Sequence, residues 1–148
     1  MRILSDRKPI KRMLGALAAA FIVVAGGLLA TASPAQAATW YCPATNSAGA
    51  TIVGCIYQNT NGGGSTYLAG TNQGCHNLTG GWNDIASSVR ANSGPGYLLR
   101  IWVNANCSGT SYGVVPGAQG NLGAGGGTEF PFPNDGASSW AVYPPGSW

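Results

Sequence analysis

One six-residue phrase occurs twice in this chain with a single change. Asn83-Asp84-Ile85-Ala86-Ser87-Ser88 returns 51 residues later as Asn134-Asp135-Gly136-Ala137-Ser138-Ser139. A second pair of segments keeps step with it: IYQNTNGGGSTY (56–67) lines up with IWVNANCSGTSY (101–112) at a shift of 45. Both copies read apolar, aromatic, three-residue turn, Asn, glycine-bearing corner, hydroxyl pair and Tyr. Self-similarity at this period means one supersecondary unit used twice. Neither unit can bury an apolar face alone, but two packed face to face can. The second unit is six residues longer, and GAGGG (123–127) is the natural place for the excess.

The units are built from strands. Gly, Ser, Asn, Thr and Pro are abundant, and no stretch after residue 37 keeps a helical apolar period. Short runs rich in β-branched and aromatic residues alternate with turn residues instead: 50–57, 65–70, 97–103, 110–115 and 138–143. Arg100 between apolar neighbours suggests a strand with one solvated face. Each unit therefore reads as strand, tight corner, second strand, loop, and a closing strand after the hexamer. Gly94-Pro95-Gly96 separates the units, and Tyr143-Pro144-Pro145 ends the last strand, leaving 144–148 as a loose tail. The expected fold class is all-β.

The beginning of the chain reads differently. Arg2, Arg7, Lys8, Lys11 and Arg12 precede an apolar run, Met13–Ala30, and Ala35-Gln36-Ala37 fits a small-x-small cleavage pattern. Residues 1–37 are expected to be a secretory signal peptide, cleaved after Ala37 to release a secreted, extracellular protein. Without them, two arginines stand against three acids, a net charge of −1. A basic patch for nucleic acid or anionic membrane is then excluded. The remaining 111 residues suit one small domain of the kind that adds covalent staples. Cys42, Cys55, Cys75 and Cys107 all fall in it, and four cysteines allow three connectivities. Cys42–Cys55 with Cys75–Cys107 is favoured, since the first ties down an N-terminal arm (38–53) and the second joins the two units. No two cysteines have the short paired spacing of a zinc site.

Two units of this kind, each with an aromatic-turn-Gly corner and then Asn-Asp-x-x-Ser-Ser, resemble the βγ-crystallin superfamily. The resemblance covers residues 54–143, as motif one (54–93) and motif two (97–143). It implies two Greek-key motifs packed as a β-sandwich, and paired calcium sites to which both hexamer loops contribute. Calcium takes several oxygen ligands from carboxylates, amides, hydroxyls and carbonyls. Carried over by position, side chains would come from Asn83, Asp84, Ser87, Asn134, Asp135 and Ser138, with backbone carbonyls from Ile85 and Gly136. Ser88 and Ser139 would cap the loop backbone. Binding would be weak and structural, with one carboxylate per loop.

The stretch 66–92, followed by LLRIWVNANCSGTSYGVVPG, is similar to exported actinobacterial βγ-crystallin-like proteins, among them inhibitors of thermolysin-type metalloproteinases. A braced loop loses little entropy on entering a protease cleft. The matching loop is Asn106-Cys107-Ser108-Gly109, and the implied partner is a secreted peptidase bound by a monomer. Ser108 departs from the bulky apolar residue such enzymes favour after the cut bond. Alternative readings are an antimicrobial or killer-toxin-like protein, and a structural or glycan-binding module using Trp40, Tyr41, Trp82 and Trp148. An enzyme is not expected: His76 is the single histidine, and two of the three acids belong to the hexamers. Glu129 reads as a supplementary metal ligand or a solvated loop residue.

Overall fold

The computed structural model describes residues 40–148 except Thr128. The expected signal peptide lies outside the described residues. Nine strands follow in order: β1 (Ile52–Asn59), β2 (Gly63–Gly70), β3 (His76–Asn77), β4 (Ser88–Ala91), β5 (Leu98–Asn104), β6 (Ser108–Val114), β7 (Gln119–Gly123), β8 (Glu129–Pro131) and β9 (Ser139–Tyr143). They form a five-stranded sheet of order β2-β1-β4-β7-β8 and a four-stranded sheet of order β3-β9-β5-β6. The two sheets pack as a sandwich. Among the described residues, no helix is long and apolar enough to cross a membrane.

The sequence repeat is also a repeat of hydrogen-bond register. In the first hairpin Ile56 faces Tyr67, Tyr57 faces Thr66, and Asn59 faces Gly63. In the second, Ile101 faces Tyr112, Trp102 faces Ser111, and Asn104 faces Ser108. Both hairpins turn through a single 3₁₀ corner, Thr60–Gly62 and Ala105–Cys107. Asn61 (φ 57°, ψ 32°) and Asn106 (φ 59°, ψ 33°) occupy the left-handed region in each, a conformation Asn tolerates better than most residues.

Each motif lends one strand to the other's sheet. Motif one supplies β1, β2 and β4 to the larger sheet but places β3 beside β9 of motif two. Motif two supplies β5, β6 and β9 to the smaller sheet and places β7 beside β4 of motif one. This exchange makes each unit a Greek key. The loop expected in each unit thus contains a third strand, and the extra residues of motif two include β8, which runs parallel to β7. Val53, Ile56, Val89, Leu99, Ile101, Leu122, Phe132, Trp140 and Val142 meet between the sheets as one core. Gly54 marks the tightest approach: a Cβ there would lie 2.8 Å from Leu99 Cδ2 and 2.5 Å from the Arg90 carbonyl.

β1 is buried on both faces, from Ile52 to Tyr57 without a break. The reason is the arm. Trp40 and the Cys42–Cys55 disulfide cover Ile52, Cys55 and Tyr57 on the outer side. Trp40 meets Tyr57 edge-on at 5.9 Å, and the Tyr57 hydroxyl donates to the Tyr41 carbonyl at 3.1 Å. Gly62 (φ +72°) lies beneath Trp40, where any Cβ would meet the Trp40 Cα at 2.9 Å. The second disulfide joins Cys75, just before β3, to Cys107 in the second corner. The tail forms a turn closed by Ser147 onto the Pro144 carbonyl, with Pro145 beside Gly96.

Candidate metal site

The two hexamers are braced across the molecule in a nearly two-fold manner. Asp84 and Asp135 both adopt positive φ, 56° and 53°, which lets each loop reverse tightly. The Asp84 N–H donates to the Ala137 carbonyl at 3.0 Å, and the Asp135 N–H to the Ala86 carbonyl at 2.9 Å. Each loop therefore closes on the other loop's backbone.

The side chains repeat the exchange. Ser138 Oγ lies 3.0 Å from Asp84 Oδ1, and Ser87 Oγ donates to Asp135 Oδ1 at 2.8 Å. So the aspartate of one hexamer is paired with the first serine of the other, both times. Asn83 and Asn134 each donate an amide N–H to the adjacent carboxylate, at Asp84 Oδ2 (2.6 Å) and Asp135 Oδ2 (2.9 Å). Both serines are more than nine-tenths buried, while the aspartates and asparagines are exposed. The result is two oxygen clusters, each open on its carboxylate side.

The clusters are not equal. Ser138 Oγ also lies 2.8 Å from the Val103 carbonyl. One hydroxyl proton then faces two acceptors, Asp84 Oδ1 and Val103 O, and can satisfy only one at a time. A hard cation resolves such a surplus of lone pairs, and the donor set of carboxylate, hydroxyl and carbonyl is that of calcium sites. The Ser87–Asp135 cluster has the same side chains and no such third oxygen bonded to its serine. Both fit a divalent ion in donor chemistry, the Asp84–Ser138 cluster better. Among the described residues, no group of three or more His, Cys, Asp or Glu comes together, so an ion held here would take most of its ligands from oxygens other than the single carboxylate of each cluster.

The second serines do something else. Ser88 Oγ donates to the Asn59 carbonyl (2.7 Å) and accepts the Gly62 N–H (3.0 Å). Ser139 Oγ repeats this with the Asn104 carbonyl (2.6 Å) and the Cys107 N–H (3.0 Å). Each holds the corner of its own motif. The borrowed strands hold the same corners from the other side. Asn121 on β7 exchanges two hydrogen bonds with Asn61, and Asn77 on β3 does the same with Asn106. Sequence reasoning did not single out Asn77 or Asn121. The signal was present, because Asn77-Leu78 and Asn121-Leu122 are the same dipeptide at nearly the shift that relates the two hairpins.

The remaining candidates are placed as follows. Ser108 and Gly109 are exposed beyond Cys107, and Ser108 Oγ donates back to the Ala105 carbonyl. Glu129 sits at the start of β8 with its carboxylate against Gly123. His76 stacks on Trp140. Trp40 and Trp82 are half-buried against Tyr57 and Tyr67, whereas Tyr41 and Trp148 are exposed.

No protein-family model matches the chain, and no curated protein matches its sequence. Solved structures do. The chain is similar to a domain from work on the evolution of the eye lens βγ-crystallin fold, at 20% identity and TM-score 0.50, covering 70% of this chain and 94% of that one. It is also similar to a βγ-crystallin domain from Flavobacterium johnsoniae, at 26% identity and TM-score 0.47, covering 65% and 99%. A clostrillin double mutant in complex with nickel matches at 21% identity and TM-score 0.45, covering 63% and 99%. The fold is that of βγ-crystallin domains.

Proposed function

We propose that this βγ-crystallin-type domain is a secreted, non-enzymatic protein whose paired hexamer loops bind calcium, and that calcium locks its two motifs together. The supporting observation is the exchange of Asp84 with Ser138 and Asp135 with Ser87, which makes each oxygen cluster a joint product of both motifs. Asp84, Ser138 and the Val103 carbonyl would hold one ion; Asp135 and Ser87 would hold the other, with the Ile85 and Gly136 carbonyls and the Asn83 and Asn134 amides as further oxygens. Calcium supplies positive charge where lone pairs converge. The chain's own residues do the rest: the asparagines orient the carboxylates, and the second serines keep the corners in place. Two disulfides fit an extracellular setting, where millimolar calcium is available.

One carboxylate per cluster sets a weak affinity, with Kd about 10⁻⁴–10⁻³ M, typical of extracellular modules. At ten times Kd, one site adds about 1.4 kcal/mol of stability. Isothermal calorimetry and thermal unfolding test this together. Binding heat and a raised Tm in millimolar calcium are expected; no heat and an unmoved Tm would sink the reading.

A second reading, inhibition of a secreted peptidase by Asn106–Gly109, draws support from the Cys75–Cys107 brace beside that corner. Against it, Asn106 and Cys107 have φ of 59° and 54°, and their N–H groups are bonded inward to Asn77 and Ser139. A cleft-binding loop instead presents extended backbone with free donors. Residual-activity assays of metallo-, serine and cysteine peptidases with micromolar protein decide the matter, and full activity in all three ends this reading.

A further inference from the structure

The two disulfides differ in what surrounds them. Cys55 is fully buried, and Cys42 packs with Trp40 onto the cluster of Ile52, Cys55 and Tyr57. Cys75, by contrast, is exposed, and so are Asn72, Gln73 and Gly74 before it. A Cβ built on Gly74 would meet nothing within 4 Å, so the chain beside Cys75 is open on that side. Cys107 is half-buried, and its sulfur lies 3.6 Å from the Trp140 carbonyl. A disulfide sulfur has no proton for that oxygen, but a thiol has one and donates it weakly.

This bridge secures the shortest strand of the sandwich. β3 has two residues and lies at the edge of the smaller sheet. His76 faces Trp140, Asn77 faces Ser139, and Leu78 then donates its N–H to the Ser138 carbonyl at 2.8 Å. Asn77 is exposed, whereas Leu78 is buried in the core. The segment is therefore pinned at both ends, by Cys75 outside and by Leu78 within. Exposed, lightly bonded segments of this kind open locally while the core stays closed.

We propose that Cys75–Cys107 is a site of thiol–disulfide exchange with an external dithiol, and that opening it loosens β3 without unfolding the domain. One thiolate of the dithiol attacks the Cys75 sulfur. The bond to Cys107 breaks, and Cys107 leaves as a thiolate that takes a proton from water. The second thiolate then attacks the reductant's own sulfur in the mixed disulfide, and Cys75 leaves in the same way. Two electrons pass to the protein, and the dithiol departs as its own disulfide. Access to the attacked sulfur sets which bridge exchanges first. Loop length weighs on the unfolded chain and leaves that order untouched. Through Leu78 the opening reaches Ser138, so the Asp84–Ser138 cluster slackens. The Ser87–Asp135 cluster, with Gly62 at the corner beside it, has no bridge there. This coupling rests on the calcium reading above; the exchange itself does not.

The test treats the oxidised protein with millimolar dithiothreitol under native conditions, traps the thiols with iodoacetamide and maps the labelled peptides. Label is expected at Cys75 and Cys107 before any reaches Cys42 or Cys55. At that stage of reduction, the Leu78 amide is expected to exchange hydrogen faster than in the oxidised protein. The Val89 amide on β4, inside the larger sheet, should keep its protection. The proposal is overturned if Cys42 and Cys55 are labelled first or together with the other pair. An unchanged Leu78 amide, or a Val89 amide that speeds up alike, also overturns it. Calorimetry of the oxidised and partly reduced forms then addresses the cluster. One of two calcium sites should weaken up to about tenfold, the effect of one uncharged hydrogen bond, and equal affinities would overturn the coupling. Absence of calcium heat in the oxidised protein would instead remove the calcium reading and the coupling with it, while the labelling and the Leu78 amide still decide the exchange.

Discussion

Ser88 and Ser139 are completely buried, and each ties two backbone groups of its own motif's corner. Ser88→Ala or Ser139→Ala strips a donor and an acceptor at once, with an expected loss of about 1–3 kcal/mol by urea unfolding. The aspartates behave differently, because they are exposed and bonded mainly to each other's serines. Asp84→Asn is expected to weaken calcium binding more than Asp135→Asn, since only the Asp84–Ser138 cluster gathers a third oxygen on its serine; calorimetry of the two variants gives the order. Tyr57 supplies a pH test. Its phenol is pushed up from 10.0 to about 12, chiefly by burial, and the Arg90 charge works in the opposite direction. A pKa raised in the folded state means stability that is full below pH 10 and lost as pH rises towards 12. Two units correspond to roughly 2–3 kcal/mol, so Tm should fall across that window, and Tyr57→Phe should flatten the fall. The two hexamers were legible as residues because five of their six positions coincide, Ile85 and Gly136 alone differing. The exposure of Trp40 was not, since nothing local tells a surface indole from one that lies on Gly62 and Tyr57.

Among the elements, the hairpins and the closing strands could be read ahead of the structure, from β-branched and aromatic runs ending at turn residues. β3 and β7 could not. β3 is two residues long and β7 reads QGNLG, so neither has an apolar alternation to announce it. Their strand character comes from the neighbour each one borrows, a tertiary cause that propensity does not carry. The unbroken burial of β1 has a similar origin, because the arm covers what would otherwise be its solvent face. Each disulfide secures one of these additions. Cys42–Cys55 closes 13 residues and Cys75–Cys107 closes 32. By loop entropy alone the stabilisations are about 3 and about 4 kcal/mol. Replacing Cys75 and Cys107 together by Ser should therefore lower stability more than replacing Cys42 and Cys55. Chemical denaturation of the two double variants measures the difference.

For the molecule as a whole, the exchange of β3 and β7 means that neither motif contains all the strands of either sheet. Unfolding is expected to be a single cooperative transition. Residues 38–93 and 97–148, prepared separately, should each show disordered circular dichroism and regain strand signal only on mixing. A separately folded half would contradict that expectation. Fold class and two-fold repetition were available in the sequence at this scale, through two repeats kept in step; the swap was not, because register says which residues face each other and nothing about which sheet a short strand joins. That swap also bears on ancestry. A chain with one such motif could finish its sheets only by giving its third strand to a twin, as a symmetric pair. Joining two copies end to end through a segment such as Gly94-Pro95-Gly96 would turn that pair into one molecule, leaving each copy free to drift. Cys107 now stands where the first copy has Gly62, so the crosslink is a mark of divergence laid over an older symmetry.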